Sequence, residues 1–341
     1  MKIYVAEIDI KEADNYLNPI IKGVLDKKII LMDGFIQVNQ PEDADFIVVS
    51  HASDLIFDLN KEGELIKFIK LGQAKDKKII VFTSGDIGLT VYGEHIIMLR
   101  LGGFASKMNQ NDLVMPPFIE DPIAKHYDGV LYKLEKTEKP TIGFVGHSNG
   151  STIKYFKEYL LFLRLNLFQL FKMKHIDFQA FYPSSVKRHF YLNQLMKVKT
   201  FSTNFIFRAK YRAGVKNEGD KKKTTLEFFN NINENLYTFC MRGGGNFSVR
   251  LYETLSLGKI PILLDTDCKL PFEKTIDWSK HCVIIKESEF HNIEKCILDF
   301  HNKLDDEKMK ELQELNRKLW VEYFFKPNYM LQLSNELDKI K

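Results

Sequence analysis

A run of three glycines followed by Ser248, Arg250 and Glu253 is the stretch of this sequence whose residue types and spacing point to chemistry. Glycine lets the backbone approach a ligand closely and present N–H groups to it. The residues that follow predict a helix, whose positive end adds to the attraction for negative charge. Together these features predict a binding site for an anion.

The spacing of the three polar side chains fits a nucleoside diphosphate. Arg250 and Glu253 are three residues apart, so they share one face of the predicted helix. Glu253 follows Ser248 at a distance of about 7 to 8 Å along a helix that rises about 1.5 Å per residue. The ribose hydroxyls of a nucleotide are separated from its diphosphate by a similar distance. In this interpretation the glycine turn, Ser248 and Arg250 hold the phosphates, and Glu253 accepts hydrogen bonds from the ribose.

Two other interpretations stay open on spacing alone. The glycines can be a tight connection, with Arg250 and Glu253 a surface pair worth a few tenths of a kcal/mol. The turn can also bind a dinucleotide, because Asp265 ends the next predicted strand at a suitable distance for a ribose contact. That fingerprint normally opens a domain, whereas here about a hundred residues of the same domain come first.

A strand, a helix and a second strand must position these residues. A short β-prone apolar run predicts a strand over residues 237–241, and the pattern over 247–257 is helical. Gly258 follows at the position where glycine commonly ends a helix. Residues 260–264 predict another buried strand, with Pro261 near its start, where a missing N–H does least harm.

This segment resembles the C-terminal signature of the exostosin family of glycosyltransferases. The family pattern runs from a strand ending in Phe-Cys, through a Gly-rich turn and Ser-x-Arg-x-x-Glu, to a Gly-x-Ile-Pro strand, a Pro-Phe pair and an Asp-Trp pair. The matching residues are, in order, Phe239, Cys240, Gly243, Gly244, Gly245, Ser248, Arg250, Glu253, Gly258, Pro261, Pro271, Phe272, Asp277 and Trp278. The resemblance covers residues 236–288 well and the N-terminal half faintly.

The resemblance implies an α/β protein of the GT-B type, with two Rossmann-like doubly wound domains facing across a cleft. It implies an inverting transferase that moves a hexose or pentose from a nucleoside diphosphate, such as UDP, to a hydroxyl of a glycan acceptor. Such a reaction belongs to polysaccharide or glycoconjugate synthesis. The alternatives are an NAD(P)-dependent Rossmann oxidoreductase that uses the same turn, and a glycan-binding relative without catalysis.

The residues expected to hold the nucleotide-sugar donor surround the glycine turn and one earlier strand end. They are Arg208, Arg212, Arg242, Gly243, Gly244, Gly245, Asn246, Phe247, Ser248, Arg250 and Glu253. Arg208 and Arg212 are included because they follow a predicted strand, and a guanidinium can hold phosphate oxygens bidentately.

The acceptor hydroxyl needs a base, which we expect from the N-terminal half. Two predicted strands there end in polar residues, at the edge of the sheet where ligands gather in open α/β folds. Asp86 is the first candidate, although Ser84-Gly85-Asp86 stands where the exostosin family usually has a His-Asp pair, and His51 is the second. His147, in the turn that follows residues 141–146, is a further candidate contact.

No obligatory metal or other cofactor is expected, because arginine and a helix dipole can neutralise the leaving diphosphate. Asp265 and Asp267 have Asp-x-Asp spacing, but they follow a predicted strand in the donor-binding half. We interpret them as residues that stabilise their own loop.

Short β-rich runs alternate with helical ones along the chain, which favours mostly parallel, doubly wound sheets. We expect an acceptor-side domain over residues 1–120, a linker over 121–139 and a nucleotide-sugar-binding domain over 140–321. The helix at 322–341 is expected to pack back onto the first domain. Local predictions include helices over 18–25, 64–71 and 151–173 and a strand over 177–182. The lysine-rich run over 216–223 is predicted to be a solvated, mobile loop, above all at 221–223. The aromatic face of helix 151–173 is assigned to a core.

The composition excludes some classes of function. The 341 residues carry 49 basic and 45 acidic side chains, a net charge of +4, which is too balanced to suggest a nucleic-acid binder. The four cysteines lack CxxC pairing, which favours reduced thiols in the cytosol. We see no signal peptide, and the apolar run at 159–171 is too short to span a bilayer. Eukaryotic exostosins usually carry an N-terminal anchor, so we expect a cytoplasmic protein of a bacterial or viral type, with at most peripheral contact to the inner face of the membrane.

Overall fold

The computed structural model describes residues 1–10, 13–25, 28–210, 214–215 and 217–341. The described strands fall into two parallel sheets and one hairpin. The strands of the N-terminal half are β1 (Lys2–Ala6), β2 (Ile21–Leu25), β3 (Lys28–Leu31), β4 (Ile36–Gln37), β5 (Phe46–Val49), β6 (Lys78–Phe82), β7 (Ile96–Arg100) and β8 (Leu113–Val114). The strands of the C-terminal half are β9 (Thr141–His147), β10 (Ser202–Arg208), β11 (Tyr237–Cys240), β12 (Ile260–Asp265) and β13 (Val283–Lys286).

Helices alternate with the strands and cover the faces of both sheets. They are α1 (Ser53–Asp58), α2 (Glu62–Ala74), α3 (Pro122–His126), α4 (Thr152–Leu170), α5 (Ser184–Lys197), α6 (Glu218–Asn233), α7 (Val249–Ser256), α8 (Ile293–Asn302), α9 (Asp306–Leu319) and α10 (Lys326–Asp338). A π-helical turn, Trp320–Phe324, joins α9 to the segment before α10.

Both sheets are doubly wound. The first has the strand order β4-β1-β5-β6-β7-β8 and the second β10-β9-β11-β12-β13, and every pair within them is parallel. In each sheet the chain leaves the first strand toward one edge and then returns to the other side of that strand. The predicted fold class, α/β with two Rossmann-like sheets, is confirmed.

Each sheet has its own core. Ile3, Phe46 and Ile97 belong to the core of the first sheet, and Phe144 and Phe239 to that of the second. Strands buried on both faces read as unbroken apolar runs, which is why their positions were predictable from the sequence.

The C-terminal helix α10 packs onto the first sheet. Its Tyr329, Met330, Leu333 and Leu337 are buried in the same apolar cluster as Ile3. The preceding π-helical turn belongs to the other half of the molecule, because Trp320 and Phe324 pack with side chains of α7. The chain therefore returns to the first sheet at its end, while the domain limits drawn from the sequence stay a prediction.

Two local predictions are wrong because tertiary contacts decide the backbone. The segment predicted as a helix over 18–25 forms strand β2, which pairs antiparallel with β3. The Asn18 side chain accepts from Ile20 N and donates to the Val49 carbonyl oxygen, both at 3.2 Å, which fixes a turn there. The segment predicted as a strand over 177–182 is irregular, because Asp177 accepts hydrogen bonds from Thr90 N (2.8 Å) and Thr90 Oγ1 (2.6 Å) of the other half.

The lysine-rich segment was predicted as a mobile loop, but from Glu218 onward it forms the start of α6. Asn217 caps this helix by accepting from Asp220 N at 2.8 Å, and Glu218 lies in the first turn, where acidic side chains complement the helix dipole. Lys216 lies outside the described residues.

The core assignment of helix α4 is also wrong. None of its side chains is buried, and Phe156 remains 63 % exposed. Only one side of the helix contacts the rest of the protein, where Tyr155, Tyr159 and Phe162 surround Phe181 with ring centroids 5.2 to 5.4 Å away. No helix in the described part of the chain is both long and apolar enough to cross a bilayer.

Candidate functional site

A cleft of about 730 Å³ opens at the carboxyl ends of the second sheet. Its walls come from the end of β9, the glycine turn after β11, the first turns of α7, and α6. Strands β9 and β11 lie on either side of the point where the strand order reverses. Ligands of open α/β sheets bind at such a switch point, and the volume is within the range of small-molecule sites.

The two central strands separate as they approach the cleft. Only Tyr237 and Thr238 of β11 are in register with β9, opposite Ile142 and Gly143. Beyond these pairs the backbones diverge, so their polar groups need other partners. Two arginines supply them.

Arg188 of α5 bridges the separated strand ends and was missed in the sequence. It donates to the carbonyl oxygens of His147 (2.8 Å) and Arg242 (3.1 Å), while its buried Nε has no partner among the described residues. Burial, and then the nearby charge of Arg250, lowers the pKa of Arg188 to about 10. No motif marks Arg188 in the sequence, because its partners are backbone carbonyl oxygens of residues far along the chain.

Arg250 reaches the same gap from α7. Its guanidinium donates to the Val145 carbonyl oxygen at 2.8 Å and stacks on Phe144, with its carbon 4.2 Å from the ring centroid. Its buried Nε has no partner in the described chain. Burial lowers its pKa. Arg250 therefore supports strand β9 and also contributes positive charge to the cleft wall.

The backbone amides of the glycine turn are available for a ligand. No described residue accepts a hydrogen bond from the N–H groups of residues 243–248. The Ser248 hydroxyl likewise has no hydrogen-bond partner within the described chain, although Ser248 is the N-cap residue of α7. Unpaired N–H groups at a helix N-terminus are suited to an anion.

Gly245 is required by a contact with the first domain rather than by an unusual backbone angle. None of the three glycines has a positive φ. A Cβ on Gly245 would lie 1.9 Å from the Asp86 carbonyl oxygen, whereas a Cβ on Gly243 would have no atom within 4 Å. The absence of a side chain at Gly245 lets the loop that carries Asp86 pack against the turn, whereas Gly243 faces open space in the cleft.

Glu253 lies on the cleft wall one helical turn beyond Arg250. No hydrogen bond joins its carboxylate to any described residue, so both oxygens are free to accept from a ligand. Burial raises its pKa to about 7, and the charge of Arg250 opposes that shift. A carboxylate with this pKa changes its charge in the physiological range.

Arg208 also lines the cleft, but part of its guanidinium is occupied. It donates to Glu227 Oε2 at 2.6 Å and to the Thr224 carbonyl oxygen at 2.8 Å, both in α6. Lys221 of the same helix lines the cleft too. The other predicted clamp, Arg212, lies outside the described residues.

Arg242, Asn246 and Phe247 hold the turn in place, and only Phe247 of the three lines the cleft. The Arg242 guanidinium lies over the rings of Phe104 (5.1 Å) and Tyr182 (4.6 Å), and donates to the Gly244 carbonyl oxygen at 3.0 Å.

The Asn246 side chain connects the two domains. Its amide nitrogen lies 2.9 to 3.1 Å from the carbonyl oxygens of Gly103, Thr266 and Asp267. Phe247 packs on the N-terminal loop that contains Gly102 and Gly103. The contact is so close that a Cβ added to Gly102 would lie 2.8 Å from the Cβ of Phe247. The structure places Arg242 and Asn246 behind the turn rather than in the cleft.

The structure brings one of the two candidate bases to the cleft. Asp86 is exposed on its wall, beside the glycine turn, with Oδ2 3.7 Å from the Cβ position of Gly244. His51 is enclosed elsewhere: its Nδ1 lies 2.9 Å from Ser50 Oγ, and its backbone forms a bridge with Leu17. Burial lowers its pKa. His147 does line the cleft, and burial lowers its pKa as well.

The two aspartates after β12 interact with loops. Asp265 accepts from Cys268 N at 2.8 Å, and Asp267 accepts from Ser106 Oγ at 2.6 Å. Neither lines the cleft, so Asp265 is not placed to contact a ribose bound there. Among the described residues no three His, Cys, Asp or Glu side chains are grouped as metal ligands.

The structure is thus an α/β protein whose second sheet has, at its switch point, a cleft lined by unpaired amides and basic side chains. Residues 197–299 match the family model described as the Exostosin GT47 domain. The resemblance to exostosin glycosyltransferases, drawn above from residues 236–288, is confirmed by this match.

Individual relatives are more distant. The chain is 31 % identical over 88 residues to the Exostosin-1 homolog of Caenorhabditis elegans, a match that covers 25 % of this chain and 22 % of that protein. The chain therefore spans about a fifth of the length of this relative.

Solved structures similar to most or all of the chain include the GtfA/B complex, which has a TM-score of 0.39 and 8 % identity; the match covers 86 % of this chain and 57 % of that one. An α1,3-fucosyltransferase with GDP has a TM-score of 0.35 and 13 % identity, and the match covers 100 % of this chain and 89 % of that one. The pneumococcal O-GlcNAc transferase GtfA with UDP and GlcNAc has a TM-score of 0.34 and 9 % identity, and the match covers 93 % of this chain and 69 % of that one.

Proposed function

We propose that this protein is a glycosyltransferase that moves a sugar from a nucleoside diphosphate to a hydroxyl group of a glycan, with inversion at the anomeric carbon. The observation that carries the proposal is that one cleft contains both unpaired backbone amides, at residues 243–245 and 247–248, and the free carboxylate of Glu253. The amides suit a diphosphate, and the carboxylate suits the hydroxyls of the attached ribose. The match to the Exostosin GT47 domain covers this same segment.

The charges in the cleft favour a departing diphosphate. Four basic side chains line the cavity, compared with the two carboxylates of Asp86 and Glu253; the basic ones are Arg188, Arg208, Arg250 and Lys221. Fixed positive charges and N–H dipoles stabilise negative charge that develops on a leaving group. For this reason we propose that turnover needs no metal ion, and that it persists in the presence of a chelator.

Asp86 is the proposed base. It belongs to the N-terminal half, lines the cleft and lies beside the glycine turn. The acceptor oxygen attacks the anomeric carbon, the bond from that carbon to the diphosphate oxygen breaks, and its electron pair leaves with the diphosphate. The proton of the acceptor hydroxyl passes to the Asp86 carboxylate.

The acceptor is proposed to bind in an adjoining cavity of about 330 Å³ that shares Asp86 with the cleft. Tyr92, Phe104 and Phe178 line it together with Lys107 and other polar side chains. Aromatic faces with a few polar groups are typical of small-molecule sites. In this arrangement Asp86 lies between donor and acceptor.

Substitution of Glu253 tests the proposal. Glu253→Gln removes the charge with little change in volume, and Glu307→Gln, on the exposed start of α9, is the matched control. Calorimetry measures the affinity for uridine or guanosine diphosphate, and we expect the control variant to have the same affinity as the wild type. The affinity of Glu253→Gln should be at least about tenfold lower, because a charge-assisted hydrogen bond is lost. Equal affinity of Glu253→Gln and wild type would contradict the placement of the ribose.

Turnover and acceptor binding are measured separately. Turnover is measured as sugar release from a panel of sugar nucleotides, with and without acceptor. Asp86→Asn should release no sugar but should bind the nucleotide with the affinity of the wild type. Tyr92→Ala should raise the KM for the acceptor and leave the donor affinity unchanged. Binding of NAD(P) in place of nucleoside diphosphates would favour an oxidoreductase, and donor binding without turnover would favour a non-catalytic relative.

A further inference from the structure

Helix α4 presents an apolar stripe to solvent over its whole length. The stripe repeats at intervals of three and four residues and consists of Ile153, Phe156, Leu160, Leu163, Leu167 and Leu170, each 37 % to 66 % exposed. At about 100° per residue these positions cover about 100° of the helix circumference. A continuous exposed patch of this kind on a folded protein marks a contact surface.

The apolar surface is wider than the stripe. Leu161, 54 % exposed, lies on the far side of Lys157 and Arg164, which flank the stripe on one edge. On the opposite edge Tyr159 is 39 % exposed. A two-helix coiled coil buries only a narrow strip of each helix. The wide apolar face of α4 is therefore better matched by the flat apolar interior of a membrane.

The charge around the stripe is almost entirely positive. The segment from residue 151 to 174 contains Lys154, Lys157, Arg164, Lys172 and Lys174, and its only acidic residue is Glu158. Glu158 is turned toward the protein, where it accepts from Ser185 Oγ at 2.5 Å and pairs with Lys154 at 3.3 Å. The exposed face therefore carries cations without an exposed carboxylate among them.

This charge distribution decides between a membrane and a second copy of the chain. In an antiparallel pair of α4 helices, Lys157 of one copy would approach Arg164 of the other, and like charges would meet at the seam. In a parallel pair neither cation would meet a carboxylate of the partner helix. Anionic lipid head groups, by contrast, lie in a layer directly outside the apolar phase, where flanking Lys and Arg side chains can reach them.

We propose that α4 is an interfacial helix that binds the protein to the surface of an anionic membrane, with its stripe in the acyl boundary and Lys157 and Arg164 among the head groups. The inference rests on the exposed side chains of α4 and is independent of the proposed catalytic activity. The adjoining cavity is lined by Gln169 of α4 and by Phe178, so binding in this orientation would bring that cavity close to the membrane.

Vesicle co-sedimentation of the full chain tests the proposal. Vesicles of phosphatidylcholine alone are compared with vesicles in which about a third of the lipid is phosphatidylglycerol, an anionic fraction that attracts basic segments. Leu160→Gln with Leu167→Gln removes two apolar contacts from the stripe, and Lys157→Gln with Arg164→Gln removes the flanking charge. Leu315→Gln, at a site 53 % exposed on α9, is the control for the loss of an exposed leucine.

We expect the wild type and Leu315→Gln to sediment with anionic vesicles, and much less with neutral ones. The double leucine variant should lose at least about tenfold in vesicle affinity, since each buried leucine contributes strongly. The double charge variant should bind anionic vesicles more weakly and lose its dependence on salt. Thermal unfolding and nucleoside diphosphate binding should be unchanged in the leucine variant, which separates this proposal from the proposed function.

Three results would overturn the inference. The wild type could stay in the supernatant with anionic vesicles, or the leucine variant could sediment as the wild type does. The third result is a dimer in light scattering that the leucine variant converts to a monomer, together with no vesicle binding, which would assign the stripe to a second copy of the chain.

Discussion

At the scale of single residues, Glu253 is expected to make nucleotide binding depend on pH. Its raised pKa of about 7 means that the free protein holds it protonated below that value and ionised above it. Ribose hydroxyls donate to the ionised form, so ligand binding favours loss of the proton. The affinity for a nucleoside diphosphate should therefore rise with pH through 7, and be about tenfold lower at pH 6 than at pH 8.

Calorimetry from pH 6 to pH 8 checks this prediction. The phosphate groups of the ligand also change their charge in this range, so the wild type has to be compared with Glu253→Gln at each pH. The ratio of the two affinities should increase with pH. A constant ratio would mean that Glu253 does not titrate when the ligand binds.

Gly245 provides a second prediction at this scale. Gly245→Ala places a methyl group 1.9 Å from the Asp86 carbonyl oxygen, which the loop can relieve only by moving away. Overpacking of this kind costs about 1 to 3 kcal/mol, so the melting temperature should fall. Gly243→Ala meets no atom within 4 Å and should melt as the wild type does. Equal melting temperatures for both variants would show that the Asp86 loop is not held against the turn.

The residues of the cleft differ in how far the sequence could predict them. Ser248, Arg250 and Glu253 follow one another along a helix, so a local spacing rule places them together. Arg188 contributes to the same cleft from a distant helix, and its partners are carbonyl oxygens, which every residue has. Asn246 was expected to bind a ligand because it adjoins the glycines, but its amide bonds to the backbone of three other residues.

At the scale of helices and strands, α10 is expected to stabilise the first sheet although it ends the chain. Leu333 is 2 % exposed in the apolar cluster that contains Ile3 and Phe46. Leu333→Ala should lower the free energy of unfolding by about 2 to 5 kcal/mol, as other buried leucines do. Leu331→Ala, at a position 46 % exposed on the same helix, should change it by at most about 0.5 kcal/mol.

Hydrogen exchange locates the effect of that substitution. Leu333→Ala should reduce the protection of amides in β1 and β5, two neighbouring inner strands of the first sheet that contribute Ile3 and Phe46 to this cluster. Loss of protection confined to α10 would show that the helix lies on the sheet without supporting it.

The elements that the sequence predicted correctly are those whose pattern is decided locally. The buried parallel strands read as apolar runs, and α7 ends before Gly258, whose φ of +69° is the left-handed conformation expected after a helix. The segment over 18–25 has apolar residues at spacings that suit either a helix or a strand, and pairing with β3 decides for the strand. The aromatic face of α4 looked like core because a sequence pattern does not tell which apolar faces are covered.

At the scale of the whole molecule, polar contacts near the glycine turn tie the two halves of the chain together. Asn246 joins the glycine turn to Gly103, and Asp267 accepts from Ser106. Close to this contact, Asp177 lies 3.2 Å from Arg100, whose side chain is only 6 % exposed and also donates to the Gly102 carbonyl oxygen. Removal of one member of a buried pair leaves the other charge without compensation, which is strongly destabilising.

We therefore expect the two halves to unfold together. Trp278 and Trp320 both lie in the cluster around α7, so tryptophan fluorescence follows the second half, whereas far-ultraviolet circular dichroism follows the whole chain. In urea the two signals of the wild type should coincide, as in a cooperative transition. Asp177→Ala combined with Asn246→Ala should separate them, because two polar contacts between the halves are then removed. Asp338→Ala, at an exposed position of α10, should leave them coincident. Separate transitions in the wild type would mean that these contacts do not couple the sheets, and Asp86 would then not be held beside the glycine turn in the free protein.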